Sequence, residues 1–196
     1  MIDLVFDLGG ETPPTSYPFA LWEELVRHAP QLSDVQNIGI LPLRLSESSN
    51  GTLLPKRTRL AIRLPAILTE QITVLLSDKQ IEVDGRRLQL GRGKKRVIQP
   101  YPTIHAQMVA GASDEAAFMN DIALQLKVMG VAGNLICGKR HTLVGRQKSI
   151  NGFSLVIHDL KADASLKLQY AGLGDSHEFG CGIFVPYKVI SGLSDD

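Results

Sequence analysis

Five histidines and two dense runs of cations are the residues of this 196-residue chain whose types and placement could do chemistry. The histidines are His28, His105, His141, His158 and His177, and an imidazole with an unperturbed pKa of about 6.5 takes or gives a proton near neutral pH. The first run, Arg86 to Arg96 (RRLQLGRGKKR), holds Arg86, Arg87, Arg92, Lys94, Lys95 and Arg96 and no acid. The second, Lys139 to Lys148 (KRHTLVGRQK), holds Lys139, Arg140, Arg146 and Lys148 around His141, again without an acid. Such runs neutralise phosphates, each contact adding salt-sensitive affinity. Taken singly, each is equally well a solvated strand edge.

Bulk composition narrows the field. With 21 basic against 20 acidic residues the net charge is +1, so any affinity for a polyanion must come from local clustering. The two cysteines are too few for a disulfide framework. Cys137 and His141 are four apart, as are His177 and Cys181, but the spacing is loose for zinc and neither pair has a finger-like context, so no metal site is expected. A phosphate-binding GxxxxGK[ST], a GxGxxG with a following acid and a paired-carboxylate cluster are all missing, which argues against nucleotide hydrolysis, dinucleotide chemistry and any cofactor. The start, MIDLVFDLGGE, is acidic where a signal peptide would be basic, and no apolar run approaches the roughly 18 residues of a membrane span. A soluble, cytoplasmic protein with no membrane partner is expected.

The elements that must position these residues follow from periodicity. Ile2 to Leu8 reads as a strand closed by Gly9-Gly10. Tyr17 to Ala29 reads as a helix, with Phe19, Leu21, Trp22, Leu25 and Val26 at helical spacing, Ser16 as its cap and Pro30 as its stop. Ile38 to Leu45 is a strand, Ser46 to Gly51 a turn, and Thr58 to Leu64 the hairpin partner. Pro65 opens a helix reaching Leu76. A strand through Ile81 and Val83, or one at Arg87 to Leu90 after the Asp84-Gly85 turn, completes β-α-β-β-α-β. The order then repeats: an extended stretch over Lys95 to Val109 broken by Pro100 and Pro102, a helix Asp114 to Met129 capped by Ser113, and strands at Asn134 to Cys137, reaching Val144, and Gly152 to His158. A helix Leu160 to Tyr170 and a last strand Gly180 to Val189 close the second unit. The fold class is α+β, two ferredoxin-like (RRM-like) units in tandem over residues 1–92 and 93–196. Both cationic runs fall toward the second unit, and RNA is the favoured polyanion because this fold is a common RNA platform. The usual stacking aromatics are missing from the sheet, so backbone and groove contacts should dominate.

One stretch near the C-terminus, GLGDSHEFGCGIF, spaces Gly172 and Gly174 five residues from Gly180 and Gly182. This pattern, the Phe184-Val185-Pro186 that follows, the FSLVI strand before it and the opening strand–glycine–helix–IGILPL order resemble the RAMP proteins of CRISPR systems. More narrowly they resemble the endoribonucleases that cut the repeat transcript into guide RNAs. One departure is plain: family members usually carry a Lys or Arg among the five loop residues, whereas here they are Asp175, Ser176, His177, Glu178 and Phe179.

The resemblance implies a metal-independent cleavage in which the substrate's 2′-hydroxyl attacks the adjacent phosphorus, giving a 2′,3′-cyclic phosphate and a 5′-hydroxyl. It favours His28, near the end of the first helix, as general base, with His141 and His105 as alternatives and His158 and His177 as structural residues. Lys148, followed by Arg146, would stabilise charge on the phosphate, and Ser149 would orient the 2′-hydroxyl. Tyr170 would close the last helix by packing. The partners implied are a CRISPR repeat RNA hairpin and other subunits of an effector complex. Two other readings stay open, a non-catalytic RAMP-type RNA-binding subunit and an unrelated small-ligand module.

Overall fold

The computed structural model describes residues 1–48 and 51–187. Strand β1 (Ile2–Gly10) turns Leu4, Phe6 and Leu8 into one core, and α1 (Tyr17–His28) covers them with Leu21 and Leu25. Ser16 occupies the N-cap position of α1 but makes no side-chain cap bond; its hydroxyl reaches the Asp84 carboxylate instead, at 3.3 Å. Strand β2 (Gly39–Leu41) is shorter than the expected Ile38 to Leu45, because Pro42 has no N–H for the ladder. A small hairpin follows, β3 (Ser46–Ser48) with β4 (Gly51–Leu53), where a turn was expected; residues 49 and 50 lie outside the described residues. Strand β5 (Arg59–Leu64) pairs with β2 and β1, and α2 (Thr69–Leu76) starts late, after a 3-10 turn over Ala66–Leu68. Both candidate closing strands form, β6 (Gln80–Val83) and β7 (Arg86–Leu90). Asp84 (φ 49°) and Gly85 (φ 74°) join them in the doubly left-handed turn that matches hairpin twist. Strand β8 (Lys94–Arg96) then pairs with β1, so the first sheet takes the chain up to Arg96.

The second unit repeats the plan. Strand β9 (Ile104–Ala110) leads to α3 (Glu115–Met129), whose cap is Asp114 and not Ser113: its Oδ1 accepts from the Ala117 amide at 2.9 Å. Strands β10 (Asn134–Val144) and β11 (Ser149–His158) form a long hairpin with a bulge between Cys137 and Arg140, followed by α4 (Ala162–Ala171). The last strand, β12, is only Val185–Pro186, because a 3-10 turn at His177–Phe179 and a turn after it occupy the preceding residues. The part of the expected strand beyond Tyr187 lies outside the described residues. The sheets run β2-β5-β1-β7-β6 and β10-β11-β9-β12. In each, the first strand lies between the third and the last, which is the ferredoxin-like arrangement. Phe118, Ile122 and Leu126 of α3 and Leu168 of α4 cover one face of the second sheet through Phe153, Leu155 and Ile157.

The halves meet across a seam with a charged centre. Gly39, Arg63, Asp3 and Arg96 stand in register on four neighbouring strands. Arg63 and Asp3 are buried, and Arg63 donates to Asp3 from Nε (2.8 Å) and Nη2 (3.3 Å). Gly39 leaves space for Ile183 of the second half, whose Cδ1 a Cβ there would overlap. Beside them, Phe19 of α1 packs against Phe179 at 4.6 Å between ring centroids, next to the buried Met108, Ala110, Ile150 and Cys181. Among the described residues, no helix is long and apolar enough to cross a membrane.

Candidate active site

The glycine-rich loop begins where α4 stops. Gly172 (φ 71°), Gly174 (71°), Gly180 (89°) and Gly182 (66°) all adopt left-handed backbone that other residues rarely enter. Space is short as well: a Cβ on Gly174 would lie 2.6 Å from the Ala110 carbonyl oxygen of β9, and one on Gly182 would overlap the Leu173 carbonyl. What approaches the loop is therefore the β9 backbone on one side and, at Gly180, the Ile40 carbonyl of β2 and the Pro42 ring. The Gly182 amide donates to the Met108 carbonyl at 2.7 Å, fixing the loop along the β9 edge. Inside it, burial pushes the Cys181 thiol up to about 12.

His177 packs against Gly172 with a buried, unpartnered Nε2, and burial holds its pKa below the usual imidazole value. The unfolded chain therefore binds a proton that the folded loop resists, so stability is full above about pH 6.5 and declines as pH falls toward the folded pKa. His177→Gln should flatten the dependence of melting temperature on pH between about 6.5 and 5. An unchanged slope in thermal melts would show that His177 titrates freely.

At the C-terminal end of α1, Glu24, Arg27 and His28 form a set. The Arg27 guanidinium binds both Glu24 carboxylate oxygens, from Nη2 and, at 2.9 Å, from Nε. The Glu82 amide of β6 donates to Glu24 at 3.0 Å, and His28 Nε2 lies 3.4 Å from the same carboxylate. Burial pushes the Glu24 carboxyl up, but the Arg27 hydrogen bond, the Glu82 amide and the neighbouring positive charges outweigh it, so its pKa falls. The Arg27 side chain is 65% exposed while that of Glu24 is 9% exposed, so a buried anion is flanked by an exposed cation and an imidazole.

The β10–β11 hairpin tip approaches the other end of α1. Its turn closes with the Gly145 amide donating to the Lys148 carbonyl, and Lys148 Nζ sits 5.3 Å above the Phe179 ring. Arg146 pairs with Asp84 at 3.2 Å. Between tip and helix lies a cleft of about 930 Å³, lined on the α1 side by Phe19, Ala20, Glu23, Glu24 and Arg27 and on the hairpin side by Gly145 to Lys148. His28 is nine residues beyond Phe19, which on an α-helix is about 13.5 Å of rise and a half-turn offset. The structure thus does not bring His28 and Lys148 to one point; the cleft joins Lys148 to Arg27 and Glu24, behind which His28 stands. Ser149 is exposed as the first residue of β11, on the face opposite the buried Ile150.

The other candidates are spread over the second sheet. His141 shares a face with Leu143, and His105 lies between the helix-side residues Ile104 and Ala106, so both are on the face away from α3 and α4. They are on different rows, opposite Gly152 and Val156, and do not meet. His105 stacks near Tyr187 with an unpartnered, buried Nδ1, and burial and then Arg44 lower its pKa. His158 pairs with Asp159 at 2.8 Å. Tyr170 is exposed on α4 instead of packed. Cys137 and Cys181 belong to separate apolar clusters, and among the described residues no three His, Cys, Asp or Glu side chains converge.

The cationic runs differ in kind. Arg86 to Arg96 lies on β7 and β8 of the first sheet, not in the second unit, and most of its charges are matched. Arg86 pairs with Glu11, Arg92 with Asp78, Lys94 with Asp7, Lys95 with Glu70 and Arg96 with Asp3. Arg87 is exposed and anchors Glu11 through its backbone amide. In the second run, Lys139 and Arg140 are exposed at the β10 bulge with no carboxylate partner among the described residues.

A family model described as Cas6 Crispr matches residues 2–189. A curated relative from Myxococcus xanthus (strain DK1622), named CRISPR-associated endonuclease Cas6, is 32% identical over 187 residues, covering 94% of this chain and 81% of that protein. This chain belongs to the Cas6 family. Among solved structures it resembles a Cas6-related protein from Pyrococcus furiosus, with TM-score 0.68 and 13% identity over 94% of this chain and 97% of that one. It also resembles Thermus thermophilus Cse3 bound to an RNA representing a pre-cleavage complex, with TM-score 0.56 and 9% identity over 94% and 98% of the two chains. The Cas6 fold thus spans both units, the glycine-rich loop included. What the sequence reading missed in this Cas6 chain is Glu24 and Arg27. Their i, i+3 and i+4 spacing to each other and to His28 was the available signal.

Proposed function

We propose that this chain is an endoribonuclease that cuts precursor CRISPR RNA within its repeat hairpin, without a metal ion. The observation that carries the reading is the Glu24–Arg27–His28 set beside the cleft, in a chain of the Cas6 family. His28 takes the proton of the 2′-hydroxyl, and Glu24, whose carboxylate lies 3.4 Å from Nε2, balances the charge it gains. The 2′-oxygen forms a bond to phosphorus as the bond to the 5′-oxygen breaks, leaving a 2′,3′-cyclic phosphate and, once that oxygen is protonated, a 5′-hydroxyl. Arg27, exposed and adjacent, leaves Glu24 for the phosphate and stabilises its developing charge. Lys148, Lys139 and Arg140, which have no carboxylate partner among the described residues, hold backbone phosphates directly, and Arg146 and the β7–β8 cations do so by exchanging weak surface ion pairs. The guide RNA then stays bound and enters an effector complex with other CRISPR subunits in the cytoplasm.

The loop sequence Asp175 to Phe179, without a cation, favours a second reading as a non-catalytic RNA-binding subunit. One experiment separates the two: incubation of an end-labelled repeat hairpin with excess protein in EDTA. Cutting to a cyclic-phosphate product is expected. A stable uncut complex would establish the second reading, and no binding would exclude both.

A further inference from the structure

Arg63 on β5 is 2% exposed, and its guanidinium reaches in two directions. Nε and Nη2 grip Asp3, while Nη1 crosses the seam and donates to the carbonyls of Gln169 and Phe184, each at 2.8 Å. These carbonyls flank the glycine-rich loop: Gln169 is in the last turn of α4, three residues before Gly172, and Phe184 is two residues after Gly182. The first also lies at the negative end of the helix dipole, which favours a cation. Asp3 is held on its other side by Arg96 Nη2 at 2.9 Å, so the pair has little freedom.

We propose that Arg63 is a positioning residue that clamps both ends of loop 172–182 to the first sheet, keeping the loop closed on α1. A planar fork of five donors can serve a carboxylate and two divergent carbonyls together; a lysine ammonium cannot span them. With the clamp in place Gly180 lies against Ile40 and Pro42, and Phe179 lies between Phe19 and Lys148. Release lets the loop leave α1, the helix that carries Glu24, Arg27 and His28. The consequence for cleavage rests on the nuclease reading, whereas the clamp does not.

The test uses Cys181, 1% exposed inside the loop, as a reporter in the full-length Cys137→Ser protein. Labelling by an aromatic disulfide well below the melting temperature should be at least about tenfold faster in Arg63→Lys and Arg63→Gln, because local opening then governs access. At saturating enzyme the single-turnover cleavage rate should fall by about tenfold, more than affinity for a hairpin with hydrogen in place of the attacking 2′-hydroxyl. A role in stability alone would lower the melting temperature and leave both readouts unchanged, which would overturn the proposal. If the Arg63 variants fail to fold, Gly39→Ala displaces Ile183 from the same seam without removing a charge. It should expose Cys181, and adding Ile183→Val, which lacks the clashing Cδ1, should restore protection; protection in Gly39→Ala itself would overturn the proposal. Faster labelling in a protein whose wild type does not cut RNA supports the clamp and removes the nuclease reading instead.

Discussion

His28→Ala should slow single-turnover cleavage of the repeat hairpin by about 10² to 10⁴-fold, the usual contribution of a positioned general base. Hairpin affinity should hardly change, because a neutral imidazole adds little to phosphate binding. The fold should tolerate the change: His28 sits in the last turn of α1, is only partly buried, and its Nε2 makes no hydrogen bond that alanine would break. Glu24→Gln should also slow cleavage, since the protonated imidazole loses the anion that balances its charge while the Glu82 amide keeps an acceptor. Lys148→Ala should behave differently. A cation that holds a distant phosphate acts before the transition state, so affinity and its salt dependence should fall while the rate of the bound complex changes little. A hairpin with hydrogen replacing the attacking 2′-hydroxyl should bind and resist cutting. If His28→Ala cuts at the wild-type rate, the base lies elsewhere, and His141 and His105 on the second sheet are next to test.

The second large effect is on stability. Gly182→Ala must place a methyl group on a residue at φ 66° and against the Leu173 carbonyl. Left-handed backbone alone costs about 1–2 kcal/mol for a residue with a Cβ. Relieving the overlap also sacrifices the Gly182 amide bond to Met108 and the Leu173 amide bond to Gly182, each worth about 1 kcal/mol net. Destabilisation on the order of 3–4 kcal/mol should lower the melting temperature by about 10 °C in a chain of this size. Gly130→Ala is the matched comparison. Its φ is 65°, but nothing lies within 4 Å of the added methyl, so only the backbone cost of about 1–2 kcal/mol remains. Denaturant melts that give equal losses would show that the loop is not packed against itself as described.

Much of this was legible in residue spacing. The paired glycines announced left-handed backbone and close approach, and all four adopt it. Asp84-Gly85 announced its hairpin, and the apolar stripe of α3 its buried face. The failures share a cause, competition from distant groups. Ser16 is a good cap by type, but the Asp84 carboxylate, 68 positions away, takes its hydroxyl. Arg86 to Arg96 reads as unopposed because the acids that meet it come from far back in the chain: Asp3 and Asp7 on β1, Glu11 just after it, Glu70 on α2 and Asp78 just after that. For the candidate site, the helical phase that separates His28 from Phe19 was calculable from sequence. The approach of the Lys148 hairpin to the Phe19 end was not, since it depends on how two sheets dock.

The return of β8 to β1 has a consequence for biosynthesis. The first sheet is complete once residue 96 has left the ribosome, whereas the carbonyls that receive Arg63 leave it 73 and 88 residues later, counting from Arg96 to Gln169 and Phe184. During that interval the seam faces water with a guanidinium and a carboxylate at its centre. A nascent first half with an apolar seam would be a sticky surface waiting for its mate, and partly folded chains of that kind aggregate. With Asp3 and Arg63 there, the waiting surface is hydrated and already internally paired, so the chain can fold from its N-terminus in order of synthesis, and the same two charges become its fastening when the second half arrives.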